Sequence, residues 1–266
     1  AHVSVDYAVS ALRAQADEFL TKPLDSARLV DVVGRLAVEG RERRAAAATP
    51  PKRVLAVGAH PDDIEIGVGG ILAAHQAAGD EITLLTLSRG GRGGDADDRQ
   101  HESLASAEKL GARLFLKDLV DTEITGGGPT VRLIEEVVRE VTPDIVYTHS
   151  NHDRHQDHRA VHEATVVATR AVGTVACFQS PSATVDFRPT RFVSIDGFVD
   201  RKLELLECFR SQTTHRSYLA EDFVRATARY WSRFGGGENV EPLEIVRETS
   251  DLSTPVRDRS ATDARQ

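Results

Sequence analysis

The chain has 266 residues, of which 40% are hydrophobic, and this is enough to bury a full core. Its net charge of −8 gives no excess of basic residues for binding nucleic acid. No apolar run approaches the ~20 residues of a membrane span and no secretory signal is visible, so neither nucleic acid nor membrane is an expected partner. Cys177 and Cys208 are too few for a disulfide framework, and a reducing cytoplasm is the expected location.

The first 40 residues predict a helix, a short strand and a second helix. Their sequence, HVSVDYAVSALRAQADEFLTKPLDSARLVDVV, resembles the last helix-strand-helix of response-regulator receiver domains, whose final strand ends in a Lys-Pro pair. In that family the lysine contacts a phosphorylated aspartate, and neither that aspartate nor the acidic metal pocket lies in this chain. We therefore interpret Lys22 as a solvated lysine and assign the segment no activity. Because the chain contains no methionine, even at position 1, it is expected to be part of a longer product.

A change of composition at Gly40 to Pro51, GRERRAAAATPP, marks the predicted domain boundary. The run is charged, then rich in alanine, and ends in Thr-Pro-Pro, which cannot continue a helix. We expect a receiver-like segment at 1–40, a linker at 41–51, one domain at 52–250 and a disordered tail at 251–266.

From Lys52 onward, short apolar runs alternate with helical patterns. Strands are expected near 53–59, 82–87, 113–116, 144–148, 175–179, 191–195 and 243–246, and helices near 66–78, 99–111, 130–141, 158–172 and 197–209. The stretch from there through Gly237 is interpreted as irregular. The alternation favours an α/β fold, a Rossmann-like and mostly parallel sheet with helices on both faces.

Two polar segments follow strands of this predicted sheet. His60 to Asp63, HPDD, comes after the first strand, and the histidine-rich run HSNHDRHQDH comes after the strand DIVYT. Because the carboxyl ends of parallel strands meet at one edge, His60, Asp63 and His158 are expected to converge around one cation. Two imidazoles and a carboxylate form an open ligand set of the kind that zinc uses in catalytic sites.

Two residues close to these ligands in sequence can take part in the chemistry. Asp62 is placed to take a proton from water, and His155 is placed to donate to an oxyanion. Each segment also has a structural interpretation, since HPDD suits a turn with a helix cap and a histidine-rich loop is often merely solvated. Their presence at two strand ends of one sheet favours a functional site.

The region from about Lys52 to about Arg247 resembles the LmbE/PIG-L family of N-deacetylases, which act on N-acetylglucosamine conjugates. The matching stretches are AHPDDIEIG with the following Gly69-Gly70, DRHQDHRAVH, KLELLECFRSQ, and a helix start bearing Arg99 and Glu102. The resemblance implies zinc ligands His60, Asp63 and His158, a general base at Asp62, and His155 as the group that stabilises the tetrahedral intermediate. It also implies that Asp157 orients His155.

The resemblance implies further contacts with the substrate. Arg99 matches an arginine near the sugar, although an exposed ion pair with Glu102 is the alternative. Asp121 follows the third strand, where the family often has an acid facing the sugar, and an ordinary loop cap is equally well supported. Glu65 has the same two interpretations.

Other polar features are given structural roles. The glycine-rich loop Ser88 to Asp98 lacks the lysine and hydroxyl spacing of a phosphate-binding loop and is interpreted as a mobile loop at the mouth of the site. Glu241 is a candidate for the rim. Three further histidines, His149, His152 and His162, are interpreted as structural or as supports for the ligands.

The predicted function is zinc-dependent removal of an N-acetyl or other N-acyl group from a small amino-sugar substrate, with a homo-oligomer left open. One alternative is a regulatory protein that couples the receiver-like segment to sugar binding or deacetylation. A metal-dependent phosphoesterase is disfavoured because no second set of metal ligands is evident.

Overall fold

The computed structural model describes residues 20, 25–46 and 50–249. The chain separates between Pro50 and Pro51 into two compact units. In the first, helix α1 spans Ser26–Ala46, and the side chain of Asp25 accepts the amides of Ala27 and Arg28 at its start. The first helix and the strand of the receiver-like segment, and the tail at 251–266, lie outside the described residues.

Helix α1 continues into the segment predicted as a linker. It ends at Ala46 rather than near Gly40, because arginine and alanine are strong helix formers and a single glycine costs only about 1 kcal/mol. The prediction based on the change of composition therefore ended this helix too early. The prolines at 50 and 51 lie beyond it.

The described part of the second unit alternates strands with helices. The strands are β1 Arg53–Gly58, β2 Glu81–Ser88, β3 Arg113–Leu119, β4 Ile145–His149, β5 Thr174–Phe178, β6 Arg191–Ser194 and β7 Val240–Glu248. The helices are α2 Asp63–Ala78, α3 Ala96–Leu110, α4 Gly128–Val141, α5 Gln156–Ala168, α6 Val199–Leu206, α7 Arg210–Thr213 and α8 Glu221–Ser232, with a short 3₁₀ helix at Ser217–Leu219. No helix of the described ranges combines the length and the hydropathy needed to cross a bilayer.

Within the described residues the strands form one seven-stranded sheet in the order β3-β2-β1-β4-β5-β7-β6. The first five strands are parallel to their neighbours, whereas β7 runs antiparallel to both β5 and β6. Buried side chains alternate along β1, with Val54 and Ala56 in one core and Leu55 and Val57 in another. Helices therefore cover both faces of the sheet, which confirms the predicted α/β class.

The order of the strands creates a crevice between β1 and β4. The chain runs outward from β1 through β2 to the edge strand β3 and then returns to place β4 on the other side of β1. Ligands bind at such a switch point, beyond the carboxyl ends of the strands. The register pairs Ala56 with Tyr147, so the turn after β1 lies beside His149.

Helix α8 lies in the stretch that was predicted to be irregular, and that prediction was wrong. The helix is strongly amphipathic, with Val224 and Ala228 buried, so the helical period is present in the sequence and was overlooked. Helix α6 is also shorter than expected, because it ends at Leu206 and a separate turn begins at Arg210.

Helix α2 is interrupted at Val68, whose φ of −138° and ψ of 20° are not helical. The preceding Gly67 lies so close to the ring of Phe178 that a Cβ there would come within 2.2 Å of it. A break in a buried helix leaves backbone groups without partners, and each must find one elsewhere.

A buried ion pair supplies those partners. The ammonium of Lys202 donates to the carbonyl oxygen of Ile66 at 2.7 Å and to Glu241 at 2.6 Å. The carboxylate of Glu241 accepts the amides of Gly70 at 3.0 Å and Ile71 at 2.8 Å. Glu241 is thus buried behind α2, which corrects the prediction that it lies on the rim of the site.

Candidate active site

The turn after β1 is built around the carboxylate of Asp63. One oxygen, Oδ2, accepts the amides of Ala59 at 3.1 Å and His60 at 2.7 Å, which closes the turn. The residue before it, Asp62, has φ 93° and ψ −25° in the left-handed region, where a residue other than glycine is strained. The turn therefore points two acidic side chains in fixed directions beyond the strand.

Three imidazoles surround Asp63. The Nδ1 of His60 lies 3.3 Å from its Oδ2, the Nε2 of His158 lies 3.4 Å from its Oδ1, and the Nε2 of His149 lies 3.1 Å from Oδ2. Although burial opposes it, the charges of His158 and His149 hold the pKa of Asp63 well below its usual range. The carboxylate of Asp63 is therefore in contact with three imidazoles that could also bind a metal.

The second polar segment lies in the loop after β4 and at the start of α5. His158 directs its Nδ1 at Asp153, 2.9 Å away, and its Nε2 at Asp63. Ser182 donates to Asp153 at 2.6 Å, and Ser180 also donates to it. Burial would lower the pKa of His158, but the charge of Asp63 and the hydrogen bond to Asp153 raise it to about 9.

Asp153 was missed by the sequence analysis, although it belongs to the same DRHQDH run. A carboxylate that holds the outer nitrogen of a metal-binding histidine fixes the orientation of the ring and raises its basicity. The sequence offered one signal for this role, which is an acidic residue five positions before His158 in a polar loop. Sequence spacing alone does not distinguish it from Asp157.

Asp157 contacts a different histidine from the one expected. Its carboxylate accepts the amides of Thr122 at 2.7 Å and Ile124 at 3.2 Å, and it lies 3.1 Å from the Nε2 of His60. The backbone amide of Asp157, rather than its side chain, contacts His155. Asp157 therefore orients His60, and the implied contact with His155 through its carboxylate is not formed, because the side chain turns toward the loop after β3.

Asp121 completes the surroundings of His60. Its Oδ1 lies 3.1 Å from the Nε2 of His60, and its Oδ2 accepts the amide of Arg92 at 2.8 Å. Burial alone would lower the pKa of His60, but hydrogen bonds to Asp121 and Asp157 raise it to about 12. Asp121 thus caps a loop, as one interpretation expected, and also faces the cavity.

His155 is the N-cap of α5, and its Nδ1 accepts the amide of Asp157 at 3.2 Å. Since Nδ1 accepts a hydrogen bond, the neutral ring carries its proton on Nε2. Burial and the charges of His158 and His60 lower the pKa of His155, which favours this neutral form. The ring stacks on His158 with centroids 4.5 Å apart. His155 is therefore an N–H donor at the wall of the cavity.

Asp62 is paired with Arg99, whose Nη2 lies 3.2 Å from Oδ1 of Asp62. Arg99 also donates to the carbonyl oxygens of Pro61 and Gly90 and is 4% exposed. Burial raises the pKa of Asp62 to about 7, against the lowering effect of Arg99. The alternative of an exposed Arg99–Glu102 pair is wrong, since Glu102 accepts the amide and hydroxyl of Ser211 instead.

The glycine-rich loop after β2 packs on the guanidinium of Arg99. A Cβ at Gly90, where φ is +65°, would lie 2.4 Å from the Nη1 of Arg99, and one at Gly93 would lie 2.7 Å from it. These glycines are required for close approach of the backbone. The loop thus helps to position Arg99 beneath Asp62, a role that its composition alone did not indicate.

The remaining polar candidates lie away from the cavity. Glu65 is buried and accepts the hydroxyl of Ser106 at 2.6 Å, so it does not face a sugar. His152 pairs with Glu244 at 2.9 Å and His162 contacts the carbonyl oxygen of His149. His149 itself is fully buried beside Asp63, and its Nδ1 has no hydrogen-bond partner among the described residues.

The donor set fits a divalent cation. Ring nitrogens of His60, His155 and His158 lie within 4.8 Å of one another, and potential ligand atoms of Asp63, His149 and His158 do so as well. His158 belongs to both groups, and the carboxylate of Asp63 lies 3.3 Å from the Nδ1 of His60 and 3.4 Å from the Nε2 of His158. Two imidazoles and a carboxylate at such separations match an open zinc-type site.

The cluster opens into a cavity of about 430 Å³. One wall carries the hydrolytic candidates Asp62, His155 and His158, and the wall toward the glycine-rich loop is polar, with Arg92 and Asp121. Gln212 and Arg216, from the stretch that sequence reasoning left without structure, also line the cavity, as does Tyr218. Most of the predicted site residues therefore face one common space.

Residues 55–169 match the model of the PIG-L family, which is described as GlcNAc-PI de-N-acetylase. The uncharacterized deacetylase YaiS of Escherichia coli strain K12 is 34% identical over 173 residues, which cover 62% of this chain and 94% of that protein. The 4-oxalmesaconate hydratase of Pseudomonas putida is 30% identical over 194 residues, which cover 62% of this chain and 75% of that protein.

A solved structure supports the fold. The N,N'-diacetylchitobiose deacetylase of Pyrococcus horikoshii superposes with a TM-score of 0.66 at 20% identity, over 85% of this chain and 94% of that one. The matched family region, residues 55–169, contains both polar segments and lies wholly outside the receiver-like segment.

Proposed function

The chain belongs to the PIG-L family, and from this premise we propose that it is a metal-dependent hydrolase that removes the N-acyl group of an amino-sugar conjugate. The family description and the deacetylase relative support an N-acetyl amide as the bond that is broken. A family match confined to 55–169 lends no support to the regulatory alternative.

One observation carries the proposal. The donor set of His60, Asp63 and His158 lies at the same cavity as the carboxylate of Asp62 and the ring N–H of His155. Amide hydrolysis needs a proton acceptor, a donor to the developing oxyanion and an electrophile, and this wall provides places for all of them.

We propose Zn²⁺ as the metal, held by His60, Asp63 and His158. Nitrogen and carboxylate ligands in an open three-residue set are the pattern that catalytic zinc prefers. When bound, such a cation supplies Lewis-acid polarisation of the amide carbonyl and makes water more acidic. Asp153 and Asp157 would orient the two histidines from behind.

The chain's own residues move the protons. Asp62 accepts a proton from the attacking water as the new C–O bond forms, while Arg99 keeps the carboxylate in place. His155 donates its Nε2–H to the carbonyl oxygen as that oxygen becomes negative. The C–N bond then breaks, and Asp62 returns its proton to the nitrogen, so that the products are a carboxylic acid and a free amine.

Metal analysis with an amine-release assay tests this proposal. We expect the purified protein to bind about one zinc ion per chain. It should also release amine from N-acetylglucosamine conjugates, and chelation should abolish that release. A metal-free protein with no activity after addition of zinc would contradict the proposal.

A second candidate is the addition of water to an unsaturated carboxylate, because a hydratase is among the relatives at 30% identity. Arg92 and Arg216 at the cavity suit this substrate, since guanidinium groups bind carboxylates through paired hydrogen bonds. Loss of absorbance of a conjugated dicarboxylate without amine release from any sugar would favour the hydratase.

Asp153→Asn is expected to weaken zinc affinity about 10- to 100-fold, because the amide loses the charge that holds the Nδ1 of His158. Competition with a chelator of known affinity measures this change. Asp186→Asn, which makes the same change on an exposed side chain in the loop after β5, serves as the control. Equal affinities of the two variants would show that Asp153 does not support the metal.

A further inference from the structure

A second cavity, of about 400 Å³, lies next to the candidate active site. It is bounded by α8, by the 3₁₀ helix and by the loop after β5. Most of its wall is apolar or aromatic, including Leu206, Leu219, Val224, Trp231, Val240 and Pro242. Cavities of this size and lining are typical of binding sites for small ligands.

The two cavities are neighbours. Ile66, Pro181 and Tyr218 line both of them, so the same side chains form the boundary on each side. Ile66 lies in the first turns of α2, three residues beyond Asp63. If the scissile amide lies beside Asp62 and His158, one of its substituents would therefore need to pass only this boundary to enter the apolar cavity.

The apolar cavity offers no free charge to a ligand. Of the described residues that line it, Lys202 and Glu241 are the charged ones. They lie 2.6 Å apart and bind the broken backbone of α2, so their charges already compensate each other. A ligand in this cavity is recognised by apolar contact.

The active-site cavity thus has one polar side and one apolar side. Arg92, Asp121 and Arg216 face it from the side of the glycine-rich loop and the α7 region, where sugar hydroxyls can form hydrogen bonds. Ile66 and Tyr218 face it from the apolar side. The two substituents of an amide lie on opposite sides of its C–N bond, so a sugar on the polar side directs the acyl group toward the apolar one.

We propose that the apolar cavity binds the N-acyl chain of the substrate and that the preferred chain is longer than acetyl. This inference rests on the proposed amide hydrolysis for the placement of the scissile bond. It specifies the substrate as an N-acyl amino sugar with an apolar chain of several carbons.

Binding can be measured without catalysis, because Trp231 is the chain's single tryptophan and lines the cavity. Titration of the zinc-loaded Asp62→Asn protein with N-octanoylglucosamine is expected to change tryptophan fluorescence saturably. N-Acetylglucosamine should leave the fluorescence unchanged, since its methyl group stays in the active-site cavity. A response to an octyl glycoside of N-acetylglucosamine, with none to N-octanoylglucosamine, would overturn the assignment of the chain to this cavity.

Turnover provides a second measurement. Across N-acetyl, N-butyryl, N-hexanoyl and N-octanoyl glucosamine, kcat/KM is expected to rise about fourfold for each methylene until the cavity is filled. Ala226→Trp, which places a large ring at the cavity wall on α8, should reduce the ratio of octanoyl to acetyl kcat/KM at least tenfold. Arg229→Trp adds the same ring to an exposed position of α8 that does not line the cavity, and it should keep the wild-type ratio.

The measurements separate this inference from the proposed function. A fluorescence response to the octanoyl compound without any amine release would support the cavity and contradict the hydrolase. Amine release that does not vary with chain length, together with no fluorescence response, would overturn the cavity and leave the hydrolase intact.

Discussion

Asp62→Asn is expected to lower kcat for amine release about 10²- to 10⁴-fold, the contribution of a positioned general base. Asparagine keeps the shape of the side chain and can accept the hydrogen bond from Arg99, but it cannot take a proton from water. It also tolerates the left-handed backbone at this position, where φ is 93°. The substitution therefore removes the proton acceptor and preserves the turn.

The metal content distinguishes this role from a structural one. Asp62→Asn should retain zinc, whereas His158→Ala should lose both zinc and activity, because it removes a ring that lies against Asp63 and Asp153. Asp118→Asn makes the same charge change on an exposed strand residue and should match the wild type. Wild-type amine release by zinc-loaded Asp62→Asn would eliminate Asp62 as the base.

The sequence predicted the fold because strands and helices alternate with strong periodicity and the strand ends carry recognisable polar runs. The turn at His60 to Asp63 and the run containing His155 and His158 follow the carboxyl ends of neighbouring parallel strands, so strand order brings them together. Local pattern and global topology agree here, which is the condition under which prediction from sequence succeeds.

The contacts that escaped prediction depend on side-chain direction. Asp153 and Asp157 lie four residues apart in one polar run, yet one holds His158 and the other holds His60. Arg99 lines the cavity, as a contact with the sugar requires, but its burial against Asp62 under the glycine-rich loop was not predicted. Such choices are made by packing between distant segments, which spacing along the chain does not encode.

Glu241 illustrates the same limit and leads to the largest expected effect on stability. Its position, where members of the resembled family close the pocket, suggested a rim, but the carboxylate reaches α2 and pairs with Lys202. Removing one partner of a buried ion pair leaves an uncompensated charge and costs about 3–5 kcal/mol. Lys202→Met and Glu241→Leu should each lower the free energy of unfolding by about this amount, measured by urea denaturation.

The double variant Lys202→Met/Glu241→Leu tests why the pair is there. Replacing a buried ion pair by apolar residues often leaves the stability unchanged. If the two side chains only neutralised each other, the double variant would therefore be nearly as stable as the wild type. Here the carbonyl of Ile66 and the amides of Gly70 and Ile71 would stay unpaired, at about 1–3 kcal/mol for each buried group. We therefore expect the double variant to remain destabilised by several kcal/mol, on the order of the single variants.

The more exposed neighbouring pair Arg201–Glu204 provides the control, since Glu204→Leu, which matches Glu241→Leu, should cost no more than about 1 kcal/mol. Full recovery of stability in the double variant would show that the break in α2 at Val68 does not need these side chains. Persistent destabilisation would identify the pair as the support that holds the first turns of α2, and with them Asp62 and Asp63, in place. The same substitutions should then reduce zinc affinity even in protein that remains folded, because Asp63 is at the amino end of that helix.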